Sequence, residues 1–100
     1  MSTRPQKLDD DVRAEALGKL AGWAYDSEAL AITKTFNFAD FSEAWAFMNR
    51  AALLAEKMDH HPEWFNVYSR VEVKMTTHDA DGVTTLDIDM ATAMNRFAGQ

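Results

Sequence analysis

Three histidines carry most of the chemical possibility in this 100-residue chain. His60 and His61 stand side by side in "EKMDHHPEW", and His78 follows in "MTTHD". Imidazole is the side chain whose unperturbed pKa, about 6.5, lets it both give and take a proton near neutrality. A positioned acid or base contributes on the order of 10²- to 10⁴-fold to a rate. Glu56 and Asp59 precede the pair. Glu56 and His60 are four apart, so a persisting helix would place them on one face, where the carboxylate could orient the imidazole and hold its proton. Trp64 could form an aromatic wall for a flat substrate.

Two other readings compete. A metal site built from the three histidines with Asp59 or Glu56 is conceivable, but neighbouring side chains at a helix end rarely converge on one ion, and there is no HExxH pair. A purely structural trio is also open on spacing alone. Serine and cysteine nucleophiles paired by motif with a histidine are missing from the sequence, as is a glycine-rich phosphate loop. The residue set favours cofactor-free proton transfer over covalent, phosphoryl or redox chemistry.

The elements that must position these groups follow from periodicity. Residues 1–8 read as a flexible lead-in, and residues 9–100 as a single domain. Asp9, Asp10 and Asp11 open a first helix whose Val12, Ala16, Leu17, Leu20 and Ala21 recur at helical spacing, with Gly22 as the left-handed residue just past its end. "WAYDSEALAITKTFNF" predicts a hairpin around the polar "DSE", with Leu30, Ile32, Phe36 and Phe38 on one face, interrupted by Lys34. The strongest helix runs from Asp40, which with Glu43 has capping-box spacing. Its main apolar face is expected at Phe41, Ala44, Trp45, Met48, Ala51, Ala52, Ala55 and Met58, with Phe47, Leu53 and Leu54 on a second side. Pro62 is expected to end it, leaving His60 and His61 at its C-terminus.

A second hairpin is predicted from "WFNVYSRVEVKMTTHD". Val71, Val73, Met75 and Thr77 alternate with a polar face that includes Thr76 and His78. "DADG" at 79–82 reads as a turn. A last helix starts at the N-cap Thr84, with Asp87 three residues on and an apolar stripe of Leu86, Met90, Ala93, Met94 and Phe97. The order α-β-β-α-β-β-α is that of an α+β sandwich with three helices on one sheet face.

Composition narrows the function classes. Ten Lys and Arg against sixteen Asp and Glu give a formal net charge of −6. The basic residues are scattered, which argues against direct nucleic acid binding and against an anionic membrane surface. The chain has no cysteine, so it has neither disulfides nor a thiolate metal site. Its N-terminus lacks the apolar region of a signal peptide, and a cytoplasmic location is expected.

"EKMDHHPEW", followed by "NVYSRVEVKMTTHD" and "DGVTTLD", resembles the pterin-4a-carbinolamine dehydratases over nearly the whole chain. The resemblance implies a four-stranded antiparallel sheet with three helices on one side. It implies dehydration of 4a-hydroxytetrahydrobiopterin to the quinonoid dihydropterin, which recycles the pterin cofactor of aromatic amino acid hydroxylases. Neither a metal nor an organic cofactor is implied, and homodimers or homotetramers are. The family's active-site histidines fall on His60, His61 and His78, and its glutamate on Glu56. Substrate contacts fall on Asp59, His60, His61, Trp64, Thr76, Thr77, His78 and Asp79. Asp87 matches the last-helix aspartate, as readily structural as catalytic. Some vertebrate relatives also bind a homeodomain transcription factor, so a noncatalytic interaction module is the main alternative, and a histidine-based metal-binding protein the next.

Overall fold

The computed structural model describes residues 5–99; of the expected lead-in, residues 1–4 lie outside the described residues. Leu8, also in that lead-in, is tied down: its N–H donates to the Val83 carbonyl at 2.9 Å, and its side chain packs against the core. Helix α1 spans Asp10–Gly18, and Asp9 caps it by accepting from the Val12 N–H. The helix is shorter than expected. Gly22 is indeed left-handed, with φ 83°, but lies beyond the cap residue Lys19 rather than at the helix end. None of the residues of α1 is fully buried, and Leu20 and Trp23 in the following loop carry this segment's share of the core.

Strands β1 (Ala24–Asp26) and β2 (Ala31–Asn37) form the first hairpin, and β3 (Glu63–Val67) and β4 (Arg70–Met75) the second. All pairings are antiparallel, and the sheet order is β1-β2-β4-β3. The strands alternate as a half-covered sheet should. Ile32, Phe36, Val71, Val73 and Met75 are buried beneath the helices, while Thr35, Asn37, Arg70 and Glu72 face outward. Lys34 interrupts the buried row, as its sequence position suggested. Its amine donates to the Ala21 carbonyl (3.0 Å) and to Asn95 Oδ1 (2.9 Å), and burial pushes the ammonium below its ordinary pKa.

Helix α2 spans Phe41–Met58, with Asp40 as N-cap, and packs with α3 (Thr85–Ala98) over β4. Its covered face differs from the sequence expectation. Ala44, Phe47, Ala51 and Ala55 are buried, and Phe47 stacks at a tilt on Phe36 and Phe38. Phe41 and Trp45, expected on the main face, are 48% and 56% exposed, and Leu53 is 68% exposed. A helix with apolar residues on most sides does not announce which stripe its neighbours will cover, and here the α3 and sheet contacts select the small residues with Phe47. Thr84 is the N-cap expected for α3, and with Asp87 it forms a capping box. No helix among the described residues is long and apolar enough to cross a membrane.

Candidate active site

Helix α2 stops before Pro62 can act on it. Asp59 takes up a left-handed conformation (φ 52°, ψ 44°), its N–H bonding back to the Glu56 carbonyl, and the His60 N–H reaches the Ala55 carbonyl at 3.1 Å. These two backward bonds are a Schellman closure with aspartate in the place usually held by glycine. Pro62 instead leads into β3. The sharp reversal sends the two adjacent imidazoles in opposite directions.

His60 turns inward and is only 4% exposed. Its Nε2 lies 2.6 Å from Oδ1 of Asp87, which is fully buried. The other carboxylate oxygen, Oδ2, accepts the Thr84 N–H at 2.9 Å and the Thr77 hydroxyl at 2.8 Å. Because Thr77 gives its proton to Asp87, the Thr84 hydroxyl donates to Thr77 across 2.8 Å, and itself accepts from the Leu86 N–H. The Thr77 hydroxyl, the Thr84 N–H and the His60 ring thus meet at Asp87, beside the first turn of α3, where a helix favours negative charge. A neutral His60 that donates Nε2–H to an ionised Asp87 would carry the lone pair on Nδ1.

His61 turns outward, 55% exposed, and its Nε2 meets Glu56 Oε1 at 2.8 Å. The sequence expectation paired Glu56 with His60. That pairing fails because the helix does not persist through residue 60. His78 is not on a regular strand as expected. It opens a single 3-10 turn, His78–Ala80, after β4, and its side chain is 84% exposed. The turn is closed by paired backbone bonds between Thr77 and Gly82, with Asp81 left-handed at its end. His78 Nε2 lies 3.7 Å from Glu63 Oε2. Each histidine thus faces a carboxylate from a different element: α3 for His60, α2 for His61 and β3 for His78.

A cavity of about 210 Å³ lies where these elements meet, lined by Asp59, His60, His61, Thr76, His78 and Asp79. It therefore brings together six of the residues selected from the sequence, with Glu56 bonded to one of them. Two others are placed differently. Thr77 is 1% exposed, with its hydroxyl inside the Asp87 cluster rather than in the cavity. Trp64 is half-buried against the core and does not line this cavity. A larger concavity, about 600 Å³, crosses the open sheet face beside Thr35, Phe65 and Glu72, but it is lined by none of the three histidines. The three histidines, not size, single out the smaller cavity as the candidate site.

Sequence reasoning left Asp87 between two roles and overlooked Glu63. The capping-box spacing announced the bond from Asp87 to Thr84, but not the one to His60, 27 residues away. For Glu63 a signal existed. It opens β3 opposite Lys74, and the chain beyond Lys74 leads directly to Thr76 and His78. Among the described residues, no group of three or more His, Cys, Asp or Glu side chains is placed to hold a metal ion.

Comparison with known proteins agrees with the resemblance seen in the motifs. A chain from Novosphingobium aromaticivorans, provisionally named a pterin-4-alpha-carbinolamine dehydratase, is 62% identical over 91 residues, covering 91% of this chain and 95% of that one. One from Bradyrhizobium diazoefficiens, with the same provisional name, is 58% identical over 93 residues, covering 93% of each. The crystal structure of a transcriptional coactivator/pterin dehydratase from Brucella melitensis superposes with a TM-score of 0.92 at 53% identity, covering 94% of this chain and all of that one. The sequence model of pterin 4 alpha carbinolamine dehydratase matches residues 6–97, and the chain belongs to that family.

Proposed function

We propose that the chain is a hydro-lyase that dehydrates 4a-hydroxytetrahydrobiopterin, a pterin 4a-carbinolamine, to the quinonoid dihydropterin, and so returns an oxidised pterin to the hydroxylase cycle. The observation that carries this reading is that His60, His61 and His78 all line one small cavity, each with its side chain beside its own carboxylate. The reaction breaks the C4a–O bond and removes the N5 proton. An acid must protonate the departing hydroxyl, which leaves as water, and a base must take the N5 proton. His60, with Nε2–H committed to Asp87, offers Nδ1 as an acceptor. His61 and His78 stand at the wet side of the cavity, where protons exchange with solvent. His61 serves as the acid, with Glu56 orienting its ring, and His60 and His78 take base-type roles. Asp59, Thr76 and Asp79 offer hydrogen-bonding groups to the pterin ring, and Thr77 supports Asp87 from behind.

Purified protein is expected to accelerate dehydration of synthetic carbinolamine with EDTA present and without nucleotide or metal. Activity that vanishes with EDTA and returns with zinc would refute the cofactor-free mechanism.

A homodimer or homotetramer is part of the same proposal. Phe41 and Trp45 stack at 6.3 Å on the outside of α2, and with Leu53 they expose apolar surface of the kind that marks contacts. Of Phe47, Leu53 and Leu54, read from sequence as the second apolar side of α2, Phe47 is core and Leu54 packs against it, so that Phe41 and Trp45 stand exposed with Leu53. Light scattering at micromolar concentration should give a multiple of 11.3 kDa, and a mass equal to 11.3 kDa contradicts the assembly. The same surface supports a second reading, a noncatalytic interaction module of the coactivator type. An assembled protein without dehydratase activity would select it.

A further inference from the structure

The larger concavity, about 600 Å³, lies on the open face of the sheet, and the strand register sets what lines it. Outward side chains form two neighbouring rows. Thr33, Lys74 and Glu63 stand opposite one another across β2, β4 and β3, and Thr35, Glu72 and Phe65 make the next row. A sheet face turned to solvent is normally polar. This one holds an aromatic ring in the open. Phe65 is 59% exposed, and among the described residues no other ring and no cation packs on it.

The charges around the concavity are unevenly engaged. Lys34 is committed to the Ala21 carbonyl and Asn95, and Glu72 accepts from Arg70 Nε at 3.1 Å. Glu63 and Lys74 are register partners, and opposite charges at such positions, with Cβ atoms about 5 Å apart, ordinarily attract. Here they do not join. Glu63 Oε2 lies 3.7 Å from His78 instead, and among the described residues Lys74 makes neither an ion pair nor a hydrogen bond. An anion on Lys74 would also meet Glu63 and Glu72, and a cation on Glu63 would also meet Lys74. A ligand that carries both charges on one carbon answers both groups at once. Two residues along β3, about 7 Å from Glu63, Phe65 offers its face to a second ring. At about 30 Å³ per water-sized group, the concavity accommodates about twenty such groups, against roughly twelve non-hydrogen atoms in phenylalanine.

We infer that the open sheet face is a second ligand site, for the zwitterion of a free aromatic amino acid, with the carboxylate on Lys74, the ammonium on Glu63 and the ring against Phe65. The site shares no lining residue with the histidine cavity. It is joined to it through one carboxylate, because Glu63 also faces His78. An ammonium bound to Glu63 competes with the imidazole, so the amino acid acts on His78 without entering the cavity. The inference goes beyond the dehydratase reading and does not depend on it, since binding alone defines the site.

The test titrates the full chain with L-phenylalanine, read by calorimetry and by NMR of the backbone amides and the His78 imidazole. Three analogues each lack one feature: alanine the ring, phenylalaninamide the carboxylate and N-acetylphenylalanine the ammonium. Each should bind about five-fold or more weakly, as the loss of one modest contact implies. Phe65→Ala and Lys74→Met should weaken phenylalanine to the same degree. Phe65 is an exposed side chain, so its variant should melt near the wild type. Should either variant not fold, the analogue series on the wild type decides. The His78 signals should move along the same curve as those of Phe65 and Lys74. No binding of phenylalanine at millimolar concentration overturns the inference. So does equal binding of any one analogue, undiminished binding in folded Phe65→Ala, or a His78 signal that stays still at saturation. If the signals of Phe65 and Lys74 respond to protein concentration and not to the amino acid, the face is an interface between copies and the inference falls.

Discussion

Replacing His61 or His78 with alanine is expected to lower kcat by about 10²- to 10⁴-fold while leaving the melting temperature nearly unchanged. Both side chains are largely exposed, at 55% and 84%, so truncation opens no cavity in the core. Substitutions at such positions usually shift stability by only about 0.5 kcal/mol. The lost rate corresponds to about 3 to 5 kcal/mol of transition-state stabilisation. The two scales are far enough apart to be separated by measuring dehydratase rate and thermal melting on the same preparations. Variants that melt many degrees lower yet retain near-normal kcat would make these histidines structural and remove the basis of the proposed mechanism.

Asp87→Ala is expected to do the opposite in kind: to damage the fold first and activity as a result. It removes the acceptor shared by the His60 ring, the Thr77 hydroxyl and the Thr84 N–H, all buried. Breaking a buried pair by removing one partner typically costs about 3 to 5 kcal/mol, because the groups left behind have no water to turn to. In a domain this small that corresponds to a fall in melting temperature of more than about 10 °C. Removal of the capping box adds to the loss at the start of α3. Differential scanning calorimetry checks the magnitude, and a melting point within about 2 °C of wild type would show that the cluster contributes little to stability.

The fold was legible in the chain to an unequal degree. Alternation in Val71, Val73 and Met75 located β4 and its buried face, and the Thr84–Asp87 spacing located the start of α3. Both are local signals, carried by neighbours in sequence. The covered face of α2 was not local. Apolar residues at Phe41, Trp45, Phe47 and Leu53 surround that helix, and only the placement of α3 and the sheet decides that Phe47 goes inside. The site divides in the same way. Six of its members could be named from the sequence because the motif carries them. Which carboxylate each histidine meets was not legible, because a left-handed residue at Asp59 breaks the helical spacing that Glu56 and His60 would have needed. The contact between His60 and Asp87 closes only when α2 and α3 pack together.

The Schellman closure at Asp59 bears on the order of letters in "DHHP". Residues 60 and 61 are chemically identical, yet the reversal makes one an interior part bonded to Asp87 and the other a solvent-facing one. Their identities are set by the count of residues from the helix end, not by the side chains themselves. One residue inserted before His60, or Asp59 deleted, would move both histidines by one address while keeping the pair intact. What the chain encodes there is a sequence of positions, dry then wet, and the imidazoles acquire separate trades by where the backbone sets them down.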